Sequence, residues 1–143
     1  CTLEPSAGGR RALRLGLRQI KGLNREEATT LVDRRGDGYR SPLDLWQRAG
    51  LRPATLVRLA EADAFQSLGL DRRQAAWAVK RLTEAAPLPL FEALDRGAAV
   101  EPERHLPAMG LGEHVVADYR TTQLSLKRHP VALLRARLTE RGV

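Results

Sequence analysis

The sequence predicts an all-α fold: a tandem pair of helical hairpins followed by a helical linker region. Three observations lead there. Aromatic residues make up only 4% of the 143-residue chain, so its core must be assembled from Leu, Ala and Val, a composition that favours helices. Apolar residues recur at i, i+3, i+4 and i+7 along several stretches, the spacing of one helix face. Glycines at positions 22 and 50 interrupt that spacing at matching points, so the chain reads as one helical device used twice.

Residues 1–9 read as a loop, and Arg11 to Leu15 alternates basic and apolar residues as a short strand without a partner would. Leu17 and Ile20 share the inner face of a short helix, which Gly22 breaks because glycine accepts the positive φ of a tight reversal. Asn24 is placed to cap the next helix, with Glu26 and Glu27 in its first turn, where negative charge suits the positive helix end. Ala28, Leu31, Val32 and Arg35 continue that helix until Gly36-Asp37-Gly38 ends it.

Ser41-Pro42-Leu43-Asp44 opens a third helix, carrying Leu45 and Trp46, and Gly50 breaks the chain again. Pro53 starts a fourth helix with Leu56, Leu59 and Ala60 inward. A shift of 28 positions lays Leu17 on Leu45, Gly22 on Gly50, Leu23 on Leu51, Ala28 on Leu56 and Leu31 on Leu59. It also lays Ile20 on Arg48 and Asn24 on Arg52, which match poorly, so the second copy reads either as a degenerate hairpin or as a plain helical turn. Asp71 caps a further helix with Ala75, Ala78, Val79 and Leu82 as its buried stripe; Trp77 lies off that stripe, flanked by Arg73 and Arg81. Pro87 to Phe91 marks a linker, and an acidic, proline-bearing loop covers 95–110. Gly112 to about Leu126 is helical again, and His129-Pro130 opens a last helix with Val131, Leu134 and Leu138 on one side.

The net charge of +7 points toward a polyanionic partner, although a composition so rich in Arg, Ala, Leu and Gly also suits a GC-rich genome. Segment by segment the balance is +4 over 1–35, +2 over 36–86, −4 over 87–119 and +5 over 120–143, so a DNA face should avoid 87–119. No apolar run approaches a membrane span, and a single cysteine forms no internal disulfide, which fits a reducing cytoplasm. His105, His114 and His129 have no cysteine partners at metal-ligand spacing, and no carboxylate pair has a metal-site setting, so no cofactor is expected. The chain begins at Cys1 rather than Met and is read as a piece of a larger protein.

Leu17 to Arg35 resembles the helix-hairpin-helix motif, apolar-x-x-apolar-x-Gly-apolar-Gly before a helix that opens on a buried Ala. The second glycine is Asn24 here, the next-best residue for a left-handed turn. A turn exposing the N–H groups of Gly22, Leu23 and Asn24 at a helix N-terminus is an anion site. Lys21 and Arg25 flank it, Arg18 and Arg35 extend the patch, and Arg48, Gly50, Leu51 and Arg52 form the corresponding set of the second copy. Such a site touches phosphate and not base edges.

Three landmarks extend the resemblance over nearly the whole chain. Leu15 to Leu23 is similar to the segment of bacterial C-family DNA polymerases, of the polymerase III alpha type, that leads into their helix-hairpin-helix domain. Leu59 to Phe65, then Leu68-Gly69 and Arg72-Arg73, resembles the next landmark; Glu113 to Thr122 and Leu124 to Pro130 resemble the helical run before the OB-fold. The wording Asp118-Tyr119-Arg120-Thr121-Thr122 and Ser125 to Pro130 is closest to the error-prone, damage-inducible branch.

The resemblance implies a remnant of the fingers over 1–16, a tandem helix-hairpin-helix domain over 17–86, an acidic linker over 87–111 and helices leading to an OB-fold over 112–143. It implies that this non-catalytic region grips the primer–template duplex for a cytoplasmic DNA-directed DNA polymerase during translesion synthesis. That polymerase's Mg-binding aspartates would lie outside this chain. Other partners it implies are the remaining polymerase domains and accessory translesion proteins. Two rival readings are a docking platform for those accessory proteins, using 87–119 and Pro87 to Phe91, and a DNA glycosylase with Asp44 as its catalytic aspartate.

Overall fold

In the computed structural model, which describes residues 1–84 and 106–142, the chain opens with a two-stranded antiparallel hairpin. Strand β1 (Thr2–Pro5) pairs with β2 (Arg11–Arg14), Leu3 facing Leu13 and Glu4 facing Ala12. The sequence read β1 as loop and β2 as partnerless. Pro5 and the glycines at 8 and 9 hide a strand only four residues long, and a segment so short leaves little alternation to read. Both faces of this hairpin are largely exposed, so it lies outside the core.

The rest of the described chain is helical: α1 (Arg25–Asp33), α2 (Pro42–Ala49), α3 (Pro53–Glu61), α4 (Arg72–Glu84), α5 (Leu111–Thr122) and α6 (Pro130–Glu140). The expected caps are in place. The Asn24 side chain accepts from Glu26 N at 3.0 Å, and Ser41 Oγ accepts from Asp44 N at 3.0 Å. Asp71 and Gln74 exchange reciprocal bonds between side chain and backbone at 2.8 and 2.9 Å, a capping box that starts α4. His129 Nδ1 accepts from Val131 N at 3.3 Å, ahead of Pro130 in the first turn of α6.

One core unites both hairpins and α4. Ile20, Leu31, Leu45, Ala49, Leu51, Leu56, Leu59 and Ala60 pack with Phe65, Ala75 and Val79. Leu56, Ala60 and Val79 are wholly buried, and each such Leu or Val contributes about 1.5–3 kcal/mol. The second copy therefore supplies a hairpin of its own, and the alternative of a plain turn is set aside.

Five details differ from the sequence reading. Asn24, read as a left-handed turn residue, has φ −72° and ψ 143°, the extended backbone of a helix N-cap. The first helix of the first hairpin is a single 3-10 turn, Leu17–Gln19, since Gly16 and Gly22 leave it no room to lengthen. Helix α1 stops at Asp33, capped at Arg34, so Arg35 lies beyond it and Val32 is 48% exposed. Helix α5 stops at Thr122, where Gln123 turns left-handed (φ 62°), and Leu126 is left outside. Helix α6 buries none of its residues, so the stripe Val131, Leu134 and Leu138 meets no core among the described residues. Trp77 is exposed as a rim residue, while the Arg73 guanidinium is held by Pro107 O (2.8 Å) and Glu113 (3.1 Å). The linker Pro87 to Phe91 and most of the acidic loop lie outside the described residues.

Helix α5 is locked to the hairpins by a buried ionic cluster. Arg72, 5% exposed, reaches Asp118 and His114 O (3.1 Å), with Asp63 at 3.9 Å. Lys127 Nζ bonds Asp63 at 2.9 Å and Asp118 at 3.4 Å, and Ser125 Oγ donates to Asp118 at 2.7 Å. Burial by itself would raise both carboxyls. The bonds from Lys127 and Gln66 to Asp63, and from Arg72 and Ser125 to Asp118, outweigh it and hold both below the ordinary range.

Candidate nucleic-acid interface

The first turn is shaped by Gly22, whose φ of +76° lies in the left-handed region that favours glycine. Leu23 N donates back to Ile20 O (3.2 Å), closing the turn, so this N–H, expected to face a ligand, is already used. The N–H groups of Gly22 and Asn24 have no hydrogen-bond partner among the described residues. They stand at the N-terminus of α1, where the helix field favours an anion. Lys21 N donates to Thr121 O (2.8 Å), so the last turn of α5 holds this hairpin in place from behind.

The second turn is built differently. Gly50 is left-handed (φ 62°) and its N–H closes α2 on Trp46 O (2.9 Å). Leu51 and Arg52 carry the N–H groups without partners among the described residues, and Pro53, with no N–H, begins α3. A Cβ at position 50 would meet nothing within 4 Å, so this turn faces open space.

A carboxylate joins the two turns. Glu27, in the first turn of α1, accepts from Arg52 Nε (2.8 Å) and from Thr55 Oγ1 (2.7 Å) in the first turn of α3. These bonds, the one from Arg52 foremost, hold its carboxyl below the ordinary range. Glu27 and Thr55 are 28 positions apart, the same offset that relates the hairpins. Equivalent positions of the two copies therefore touch each other at the helix starts.

The expected patch divides into two clusters. Arg18, Lys21, Gly22, Asn24 and Arg25 are exposed around the first turn, and Arg52 joins them through Glu27; Leu23 is half-buried and Leu51 buried in the core. Arg35 and Arg48 lie at the other end of α1, about 13 Å along a nine-residue helix. There Arg48 bonds Arg34 O, Arg35 O and Gly38 O, each at 2.8 Å, and Asp44 at 3.2 Å, with its guanidinium 4.9 Å from the Tyr39 ring centre. That position reads as a tie across the end of α1. Arg48→Met is accordingly expected to lower stability by roughly 1–3 kcal/mol, read in urea or thermal melts, because three carbonyls lose a charged donor.

Asp44 serves the start of α2. Its carboxylate accepts from Arg40 N (2.9 Å) and Arg48, which keep it below the ordinary range, and its own N–H is capped by Ser41. Among the described residues no group of three or more His, Cys, Asp or Glu is placed to hold a metal ion, and no helix is long and apolar enough to cross a membrane.

One residue escaped the sequence reading. Arg58, on α3, lies so close to the first turn that a Cβ at position 22 would be 3.1 Å from its Nε. The shift of 28 positions sets Arg58 against Thr30, which gives no hint of this placement; only its position three residues after Thr55, on the face that meets Glu27, does.

Comparison with known proteins follows this geometry. The helix-hairpin-helix motif family matches residues 1–75. The chain is 54% identical over 134 residues to an error-prone DNA polymerase of Ruegeria pomeroyi, covering 93% of this chain and 12% of that protein. It is 53% identical over 138 residues to error-prone DNA polymerase 1 of Rhizobium meliloti (94% and 12%), and 46% identical over 142 residues to an error-prone DNA polymerase of Brucella abortus (99% and 13%). The chain thus spans about an eighth of the length of these relatives. No solved structure matches it.

Proposed function

The chain belongs to the helix-hairpin-helix family, and from that premise we propose that it is the DNA-gripping region of an error-prone bacterial C-family DNA polymerase. It holds the primer–template duplex by its phosphates, without reading sequence, while the polymerase copies damaged template. The observation that carries this reading is the pair of turns, each presenting backbone N–H groups without partners among the described residues at a helix start, the two starts joined through Glu27 and Thr55. Two such turns suit two phosphate backbones. Backbone donors recognise what every nucleotide shares, which a polymerase segment requires.

Chemistry of nucleotide transfer, with its Mg, would belong to the palm of the parent polymerase in the bacterial cytoplasm. The exposed β-hairpin and the exposed stripe of α6 suit contacts with its other domains, while accessory translesion proteins would find their surface at the acidic region 87–119 and the run Pro87 to Phe91.

Fluorescence anisotropy with two duplexes of unrelated sequence, across several salt concentrations, tests the reading. Equal affinities are expected, falling steeply as salt displaces the advantage of counterion release. A strong preference for one duplex, or binding indifferent to salt, would refute it.

A further inference from the structure

We propose that Arg58, carried by the second hairpin, completes the phosphate site at the turn of the first. This rests on the DNA-gripping reading above and names a residue that the motif pattern does not contain. Arg58 is half-buried, and its guanidinium makes no hydrogen bond or ion pair among the described residues. Its Nε lies 3.1 Å from where a Cβ of residue 22 would stand. Three sets of unpartnered donors therefore meet at one turn: the Gly22 N–H, the Asn24 N–H and a planar guanidinium.

No group among the described residues bonds that guanidinium. Glu27, the acid that feels its charge, already accepts from Arg52 and Thr55 through one oxygen, while its other oxygen is buried without a hydrogen bond. Glu27 thus attracts Arg58 toward the turn without closing it off. A guanidinium offers two parallel N–H bonds to a phosphate, a fit that a lysine ammonium lacks. The ligand class is a phosphodiester of a duplex backbone, bound between hairpins and not by either alone.

The second turn has no counterpart. The residue related to Arg58 by the 28-position shift is Thr30, whose hydroxyl bonds Glu26 O at 2.9 Å, and the Gly50 turn faces open space. The two phosphate sites are consequently unequal, with the stronger at Gly22.

The test uses the whole chain and a random-sequence duplex, comparing Arg58→Gln and Arg58→Lys with Arg135→Gln, an equal charge loss on exposed α6. Arg58→Gln is expected to weaken binding about tenfold and to reduce the salt slope by about one; Arg58→Lys should restore the slope and only part of the affinity. Arg135→Gln should change affinity less than about twofold. Melting curves establish that each variant is folded, and Arg58→Lys, which keeps charge and length, carries the comparison if Arg58→Gln is not. Should the unmodified chain fail to bind DNA in a salt-dependent way, the DNA-gripping reading falls. Should it bind while the position-58 variants match Arg135→Gln, or while Arg58→Lys equals the unmodified chain in affinity, the role of Arg58 in the site falls alone.

Discussion

Arg72→Ala is expected to destabilise the fold by roughly 3 kcal/mol at neutral pH, among the largest losses any single surface-distant change should produce here. Removing the guanidinium leaves Asp118 and Asp63 buried against each other with only Lys127, a partly exposed lysine, to balance them. His114 O also loses its donor. The effect carries a pH signature. Both carboxyls are held below their ordinary values, so the stability they contribute is complete above the unfolded value near ~3.9 and is lost as pH falls through the lower folded values. In the variant, burial without Arg72 favours the protonated carboxyl, so it loses less on acidification. Urea melts of both proteins between pH 3 and 7 should show a wide gap at pH 7 that narrows toward pH 3. A gap that stays constant across that range would mean that Arg72 acts by packing, not by its charge.

The loss should also reach the DNA face. Thr121, one turn of α5 beyond Asp118, accepts the N–H of Lys21 and so braces the first hairpin. The cluster that Arg72 centres keeps α5 there. A distant ionic lock thus bears on the geometry of the turn through one helix and one backbone bond.

How much of this was readable in the chain depends on the range of each interaction. Asn24, Ser41, Asp71 and His129 were legible as helix starts because a cap is made within three residues of its donor. The doubled hairpin was legible because Gly22 and Gly50 keep their apolar neighbours in register. The lock between Arg72 and Asp118 joins residues 46 apart, and no local pattern announces such a pair. Arg48 was read as a phosphate ligand because it belongs to the second copy's set, although the shift lays it on Ile20, a poor match; its guanidinium meets the carbonyls at the end of α1, a contact made by the return of the chain. Val32 and Leu126 continue the apolar periodicity yet are 48% and 78% exposed among the described residues, and periodicity alone cannot register that.

Gly22→Val is expected to weaken duplex binding on the order of tenfold to a hundredfold, against a smaller loss for Gly50→Val. Both glycines are left-handed, at φ +76° and +62°, so a β-branched residue strains either turn by about 1–3 kcal/mol and both variants should melt earlier. Beyond that shared strain the two positions differ. A Cβ at 22 would stand 3.1 Å from Arg58 Nε, so the arginine must give way, and the γ-methyls of valine crowd it further, while a Cβ at 50 meets nothing. Gly22→Val also turns the N–H of residue 22 away from its ligand, whereas the Gly50 N–H is already bound within α2. Affinity and melting temperature measured on both variants separate the shared strain from the lost contacts. Arg58→Gln placed in the Gly22→Val background should then cost little more, because the arginine has already been displaced. If Gly50→Val proves the more damaging to binding at equal stability, the stronger grip belongs to the second turn, and Arg52 rather than Arg58 is the arginine that meets the phosphate.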